Sequence, residues 1–208
     1  MITVIAGVNG AGKSSLVGAY LRASNGEYFN PDEVARNLLR RHPEFSQETA
    51  NAEAWRIGYE QLKLAVRHNP DYTIETTLGG NSICKLLHRA IDQGRDVRIF
   101  YCGLDSLELH VERVAQRVRR GGHFIPEAKI KERWVSSIHN MLSLIPRLSE
   151  LAVFDNSFQC DSMTRPIPKC LFVVKAHQFT VLPVSDMPEW AKPLAARAMQ
   201  CVIDAGYR

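Results

Sequence analysis

Gly7-Val8-Asn9-Gly10-Ala11-Gly12-Lys13-Ser14 fills the pattern G-x-x-x-x-G-K-[ST] without a mismatch. The apolar run Ile2-Thr3-Val4-Ile5-Ala6 stands directly before it, and a stretch with helical periodicity follows. A strand, a glycine turn and a helix start in that order leave a row of unpaired backbone N–H groups, which suits a polyphosphate. The glycines let the phosphates approach that backbone without a Cβ in the way. Lys13 is placed to reach the β and γ oxygens, and the Ser14 hydroxyl to help hold Mg²⁺. Gly7, Asn9, Gly10, Ala11, Gly12 and Ser15 complete the expected ATP cradle. A glycine turn that merely joins strand to helix is the plainer alternative, and the full motif in this context weighs against it.

Outward from this loop, apolar runs alternate with helical patterns. The strand at 2–6 and a helix at 13–22 are followed by a short strand at 27–29 and a helix at 32–41. Pro43 breaks that pattern, and a long helix over 46–68 comes next. Tyr72–Thr76 reads as a third strand. Residues 82–93 carry Ile83, Leu86, Leu87, Ala90 and Ile91 on one helical stripe, stopped by Gly94. A fourth strand at 97–101 leads to Ser106, a cap for a helix with Leu107, Val111, Val114 and Val118 inward. Pro126 reads as the first residue of a further helix, with Ile130, Trp134, Ile138, Met141 and Ile145 inward. A fifth short strand lies at 152–154. The alternation predicts an α/β fold, a P-loop kinase-type open parallel sheet with helices on both faces. Past Asn156 the texture changes to a hairpin, 170–176 and 178–182, and a helix over 194–204. The expected organisation is one domain over 1–157, with residues 158–208 as a C-terminal appendage packed on it.

Composition narrows the class. The chain has 208 residues, 45% hydrophobic and 23% charged, which excludes disordered and collagen-like sequence. Its 26 basic residues against 22 acidic ones leave +4, too weak by itself to imply nucleic acid. Five scattered cysteines without CxxC or Cys/His ligand spacing argue against zinc and fit a reducing compartment. The start lacks a basic region followed by a long apolar run, and no uncharged apolar stretch approaches the ~18 residues of a membrane span. A cytoplasmic chain with no membrane role is the expectation.

Further motifs divide into an acceptor side and a lid. Asn30-Pro31-Asp32-Glu33 puts carboxylates at a helix start beyond the second strand, on the ligand-binding edge of such a sheet. Asp32 there is either the base that takes the proton of an acceptor hydroxyl or a complement to the helix dipole. Glu75-Thr76-Thr77 ends the third strand. Glu75 is a candidate for Mg²⁺ or acceptor, and Thr76 and Thr77 for acceptor, with ordinary strand-end polarity as the alternative. Asn81 is a further candidate. Arg113, Arg117 and Arg120 share one face of a helix that runs into Gly121-Gly122-His123, an arrangement suited to a lid that clamps phosphates. Arg133 could close from the other side. His123 either touches phosphate or packs in the lid. A solvated charged face and a nucleic-acid patch are the other readings, the latter disfavoured because no aromatic residues interleave the arginines. Asn156, in Phe154-Asp155-Asn156-Ser157, is a candidate nucleotide contact or part of a plain turn.

Taken together, the phosphate loop, Asn30-Pro31-Asp32-Glu33, Glu75-Thr76-Thr77-Leu78, Arg113-x-x-x-Arg117-Val118, Gly121-Gly122-His123-x-x-Pro126 with Arg133, and Asp155-Asn156-Ser157 resemble the zeta-toxin family of P-loop kinases over about residues 1 to 157. The resemblance implies a central parallel sheet and ATP·Mg²⁺ as phosphoryl donor. It implies transfer to a hydroxyl of a UDP-activated amino sugar or similar nucleotide-like acceptor, and a small helical antitoxin as partner. Carried over by position, Lys13 and Ser14 would hold phosphate and metal, and Asp32 would be the base. Glu75 and Thr77 would contact the acceptor. Arg113, with Arg117 or a nearby lid arginine, would stabilise the transferring group. Two other functions stay open on the sequence: a nucleic-acid-end kinase, and a regulatory module that binds and hydrolyses ATP.

Overall fold

The computed structural model describes residues 1–13, 28–158 and 168–206. Beyond Lys13 the expected helix at 13–22, with Ser14 and Ser15, lies outside the described residues. Six strands form one sheet: β1 (Ile2–Ala6), β2 (Tyr72–Thr76), β3 (Val97–Gly103), β4 (Glu150–Asp155), β5 (Lys169–Lys175) and β6 (Gln178–Val181), in the order β2-β1-β3-β4-β5-β6. The first four run parallel, and β5 and β6 are antiparallel. Helices α1 (Pro31–Arg41), α2 (Gln47–His68), α3 (Asn81–Asp92), α4 (Leu107–Arg119), α5 (Glu127–Leu144) and α6 (Lys192–Gly206) are distributed over both faces. Every residue of β1 is buried, as expected for a central parallel strand covered above and below.

Local signals set the helix boundaries. Asn30 caps α1, its side-chain oxygen accepting from the backbone N–H groups of Asp32 and Glu33. Ser46 caps α2 through the Thr49 N–H, and Ser106 caps α4 through the Leu109 N–H. Pro126 stands one position outside α5, because its ψ of 138° is extended and Glu127 becomes the first helical residue.

Some elements differ from the sequence reading. Where a strand at 27–29 is expected, Phe29 makes only an isolated parallel bridge to Ile74, its N–H donating to the Thr73 carbonyl at 2.8 Å. Proline at 31 and the capping asparagine turn the chain into α1 before a ladder can extend. The strand read as 152–154 runs from Glu150 to Asp155, because pairing on both sides overrides the polar ends. The hairpin expected near 170–182 continues the main sheet beyond β4, and its turn residues Ala176 and His177 both have positive φ.

Parallel register gathers the site at one edge. Ala6 is level with Thr76 on one side and Tyr101 on the other, and Gly103 is level with Asp155. The segments after β1, β2, β3 and β4 therefore leave the sheet side by side at its carboxyl end, where open α/β sheets bind ligands. The main core lies under Leu62, Leu87, Ile99, Met141, Leu144 and Phe172.

Candidate functional site

The phosphate loop is shaped by close backbone approaches. Gly7 has φ +146°, and a Cβ there would fall 2.2 Å from the Cys102 carbonyl oxygen. Gly12 has φ +84°, and its Cβ would fall 2.1 Å from Asn156 Nδ2. Neither position admits a side chain without displacing what lies behind the loop. The Asn156 amide donates to the Ala11 carbonyl at 2.9 Å, and the buried Cys102 thiol lies 3.1 Å from the same oxygen. Asn156 thus braces the loop from behind and does not line the cavity in front of it.

Asn9 is held from two helices. Its carbonyl, which can only accept, lies 2.7 Å from His110 Nδ1 on α4, so that nitrogen carries the hydrogen. Its side-chain oxygen accepts from Arg133 on α5 at 2.8 Å. Burial pushes the His110 imidazole down to about 4, with Lys13 and Arg113 also lowering it against the opposing hydrogen bond to Asn9. The ring is therefore neutral near pH 7. Lys13 Nζ donates to the Gly7 carbonyl at 2.8 Å and lies 3.7 Å from Glu75 Oε1.

On the β2 side, the cap that starts α1 also orders the carboxylates. Asn30 Nδ2 donates to Glu75 Oε2 at 3.4 Å while its oxygen caps the helix that carries Asp32. Burial raises the Glu75 carboxyl, and Lys13 partly offsets this. Asp32 Oδ2 pairs with Arg117 at 3.2 Å. The other two guanidinium nitrogens of Arg117 are buried and make no hydrogen bond. Thr76 and Thr77 line the cavity, while their hydroxyls accept from the N–H groups of Leu78 and Gly79. That turn is held from α5: Ser137 donates to the Thr77 carbonyl, Ser136 to that of Gly79, and Asn140 to that of Leu78.

These groups face one cavity of about 540 Å³. Of the lid residues, Arg113, Arg117, His123 and Arg133 line it. Burial lowers the Arg113 guanidinium, and burial also moves His123 below the usual histidine value despite Asp32 nearby. Arg120 does not line the cavity, because α4 ends at Arg119 and Arg120 is its exposed C-cap. Asn81 does not line it either: it is the first residue of α3, and its neighbours Gly80 and Ser82 reach the cavity instead. Among the described residues no cluster of three His, Cys, Asp or Glu side chains is arranged for a metal.

Sequence reasoning missed three groups. Asn51, Trp55 and Tyr59 of α2 line the cavity, and their regular four-residue spacing was the available signal. His110 left no sequence signal, being a single histidine on a helix. Ser137 and Asn140 are buried polar residues of α5, Ser137 within its apolar stripe and Asn140 at the stripe's flank.

Comparison with known proteins bears on the family and the fold. Residues 2–134 match the family model described as AAA domain, AAA_33. The chain belongs to the AAA_33 family. A protein similar to this AAA_33 chain is an uncharacterised protein of Haemophilus influenzae (strain ATCC 51907 / DSM 11121 / KW20 / Rd), 30% identical over 132 residues, 62% of this chain and 88% of the relative. Among solved structures, the AvrRxo1-ORF1:AvrRxo1-ORF2 crystal structure with sulphate ions matches 98% of the AAA_33 chain and 76% of its counterpart, with TM-score 0.64 and 16% identity. The AvrRxo1-ORF1:-ORF2 structure with ATP matches with the same coverage at TM-score 0.65 and 15% identity. A chain from the PezAT chromosomal toxin-antitoxin system of Streptococcus pneumoniae matches at TM-score 0.53 and 12% identity, over 98% of this chain and 86% of that one. At these identities the likeness is one of fold, and the AAA_33 chain has the fold of P-loop kinase-like proteins. Among its described residues no helix is long and apolar enough to cross a membrane.

Proposed function

We propose that this protein is an ATP-dependent kinase of zeta-toxin type, moving the γ-phosphate of ATP to a hydroxyl of a UDP-activated sugar or similar nucleotide-like acceptor. The observation that carries the reading is the sharing of one cavity by the phosphate-loop lysine, the Asp32 carboxylate and two arginines of α4. The ATP in one AvrRxo1-ORF1:-ORF2 structure lends support, as does the fold shared with a toxin-antitoxin protein. On the same ground a small helical antitoxin is the proposed protein partner, and the cytoplasm the proposed location.

The loop backbone and Lys13 bind the β and γ phosphates, and Arg113 lies beside them. Asp32 accepts the proton of the acceptor hydroxyl as its oxygen attacks the γ phosphorus. The bond from that phosphorus to the bridging oxygen breaks, and ADP leaves with the electron pair. Arg117, with one guanidinium nitrogen on Asp32 and two unpartnered, can turn to the phosphoryl oxygens as charge develops there. The glycine-shaped cradle fits a polyphosphate. Phosphate-bound Mg²⁺ needs only one or two protein oxygens, so Glu75, with Ser14 by its place in the phosphate-loop motif, would hold it, and it would neutralise charge on the phosphates.

The test uses γ-labelled ATP, purified protein and an extract of small metabolites. The expected result is a labelled non-nucleic product that Lys13→Ala abolishes and Asp32→Asn lowers by about 10²-fold or more. Label recovered only as free phosphate, at a rate unchanged by Asp32→Asn, refutes the kinase reading and leaves an ATP-hydrolysing module.

A further inference from the structure

The cavity has a second end that the phosphate chemistry does not use. Phe29, Gly58 and Ile74 line it beside Trp55 and Tyr59 of α2. These groups are contiguous: Phe29 bridges Ile74, and a Cβ on Gly58 would fall 2.4 Å from the Phe29 ring. One residue further along each segment come Asn30 and Glu75, so the apolar end adjoins the carboxylates.

Trp55 and Tyr59 stack, with ring centroids 5.0 Å apart and planes 10° from parallel. Lys63, a further turn along α2, places its ammonium 5.7 Å from the Tyr59 centroid. Tyr59 is partly buried against the main core, whereas Trp55 remains 46% exposed. Helix support for Trp55 needs only the face turned to Tyr59. Asn51 stands one turn earlier, on the side of Trp55 away from Tyr59, and also lines the cavity. Gln47 donates to Asn51 Oδ1 at 3.0 Å, which fixes that amide in one orientation.

We infer that the exposed face of Trp55 is a stacking platform for a flat unsaturated ring carried by the acceptor, with Asn51 reading the ring's edge. The class of ligand is a hydroxyl compound bearing a heteroaromatic ring, such as a nucleobase. Sheet order assigns the ring to acceptor rather than ATP: β2, Asp32, Glu75 and α2 all lie on the β2 side of the phosphate loop, while Arg113, which donates to the Phe158 carbonyl, and Asn156 lie towards β4. A flat ring there gains dispersion and π contact on one face and keeps its polar edge available to Asn51. The assignment as acceptor site rests on the kinase reading, whereas ring binding does not.

Calorimetry on the whole protein, with the phosphate loop filled by a non-hydrolysable ATP analogue, tests this. The probes are UMP, AMP and base-free ribose 5-phosphate. At least one base-bearing probe should bind about tenfold or more tighter than ribose 5-phosphate, and Trp55→Leu should remove most of that gain while Trp55→Phe keeps part of it. Affinity for the ATP analogue should be the same in all three proteins, which also shows that the variants are folded. The proposal is overturned if neither base-bearing probe exceeds ribose 5-phosphate or if Trp55→Leu binds as wild type. It is equally overturned if the analogue itself weakens in Trp55→Leu, since the ring would then belong to the donor. Ring binding without any phosphoryl transfer would instead sink the kinase reading alone.

Discussion

The Nδ1 of His110 must carry a hydrogen to hold the Asn9 carbonyl, and the neutral ring does this without bringing a charge into its buried site. Folded His110 sits at about 4, below the ordinary histidine value of 6.5, mainly through burial. The unfolded chain therefore takes up a proton between these two values that the folded chain refuses. Stability is unaffected above that window and falls as pH drops through it. In urea unfolding compared near pH 7.5 and near pH 5, wild type should lose about 2 kcal/mol more than His110→Gln, which keeps an N–H donor but has no proton to gain. Equal losses in the two proteins would show that this imidazole is not buried neutral. The same scale explains what the sequence could show of the site. Lys13, Asp32, Glu75, Arg113 and Arg117 reach one cavity because each sits at a strand end or on the helix beside it, and such positions follow from alternation alone. Arg120 shares their helical spacing but falls one residue past the helix, where periodicity no longer governs direction. His110 is invisible because its role depends on the packing distance between α4 and the loop.

α5 acts on the site as an element. Its Asn140 donates to the Leu78 carbonyl at 2.8 Å and to that of Gly80 at 3.4 Å, across a turn in which Leu78 has φ +52°. A non-glycine residue in that region persists only where its surroundings hold it. Asn140→Ala should cost about 1–3 kcal/mol in denaturant unfolding, because the buried Leu78 carbonyl loses its side-chain donor. Loss of the clamp should weaken acceptor turnover more than affinity for an ATP analogue, since the turn borders the β2 side only. Equal loss of both would mean that α5 serves general stability. The apolar stripe of α5 was readable from its spacing. Ser137 and Asn140 were not, because a serine within the stripe and an asparagine at its flank carry no sequence sign of the β2-turn carbonyls they bind. The bridge at Phe29 is the complementary case: β-forming residues are present, but the cap and proline of α1 turn the chain away directly after the bridge.

At the scale of the molecule, the parallel sheet and its carboxyl-edge site were legible, whereas the place of the C-terminal quarter was not. A hairpin is a local signal, but which sheet it joins depends on which edge is open. β4 supplies that edge, and β5 pairs along its full length, from Glu150 with Lys175 to Asp155 with Lys169. Leu171, Phe172, Trp190, Leu194 and Ala198 then belong to the main core. Trp190 lies flat on the backbone of β3 where a Cβ at Gly103 would fall 2.5 Å from its ring, and 6.0 Å from the Tyr101 ring. Its buried Nε1 has no hydrogen-bond partner, so packing is what holds it. The family match ends at residue 134, inside α5 and before β4, so it does not mark a unit that can close its own core. Trp190→Ala should lower stability by about 3–5 kcal/mol in denaturant unfolding through the cavity it leaves. Ending the chain at 158 removes the partner of a buried strand and uncovers Tyr101 together, and an open apolar strand edge invites pairing with other chains. That shortened chain should aggregate or melt without a cooperative transition in calorimetry. A cooperative transition within a few degrees of the full chain would show that residues 168–206 only decorate a sheet already stable without them.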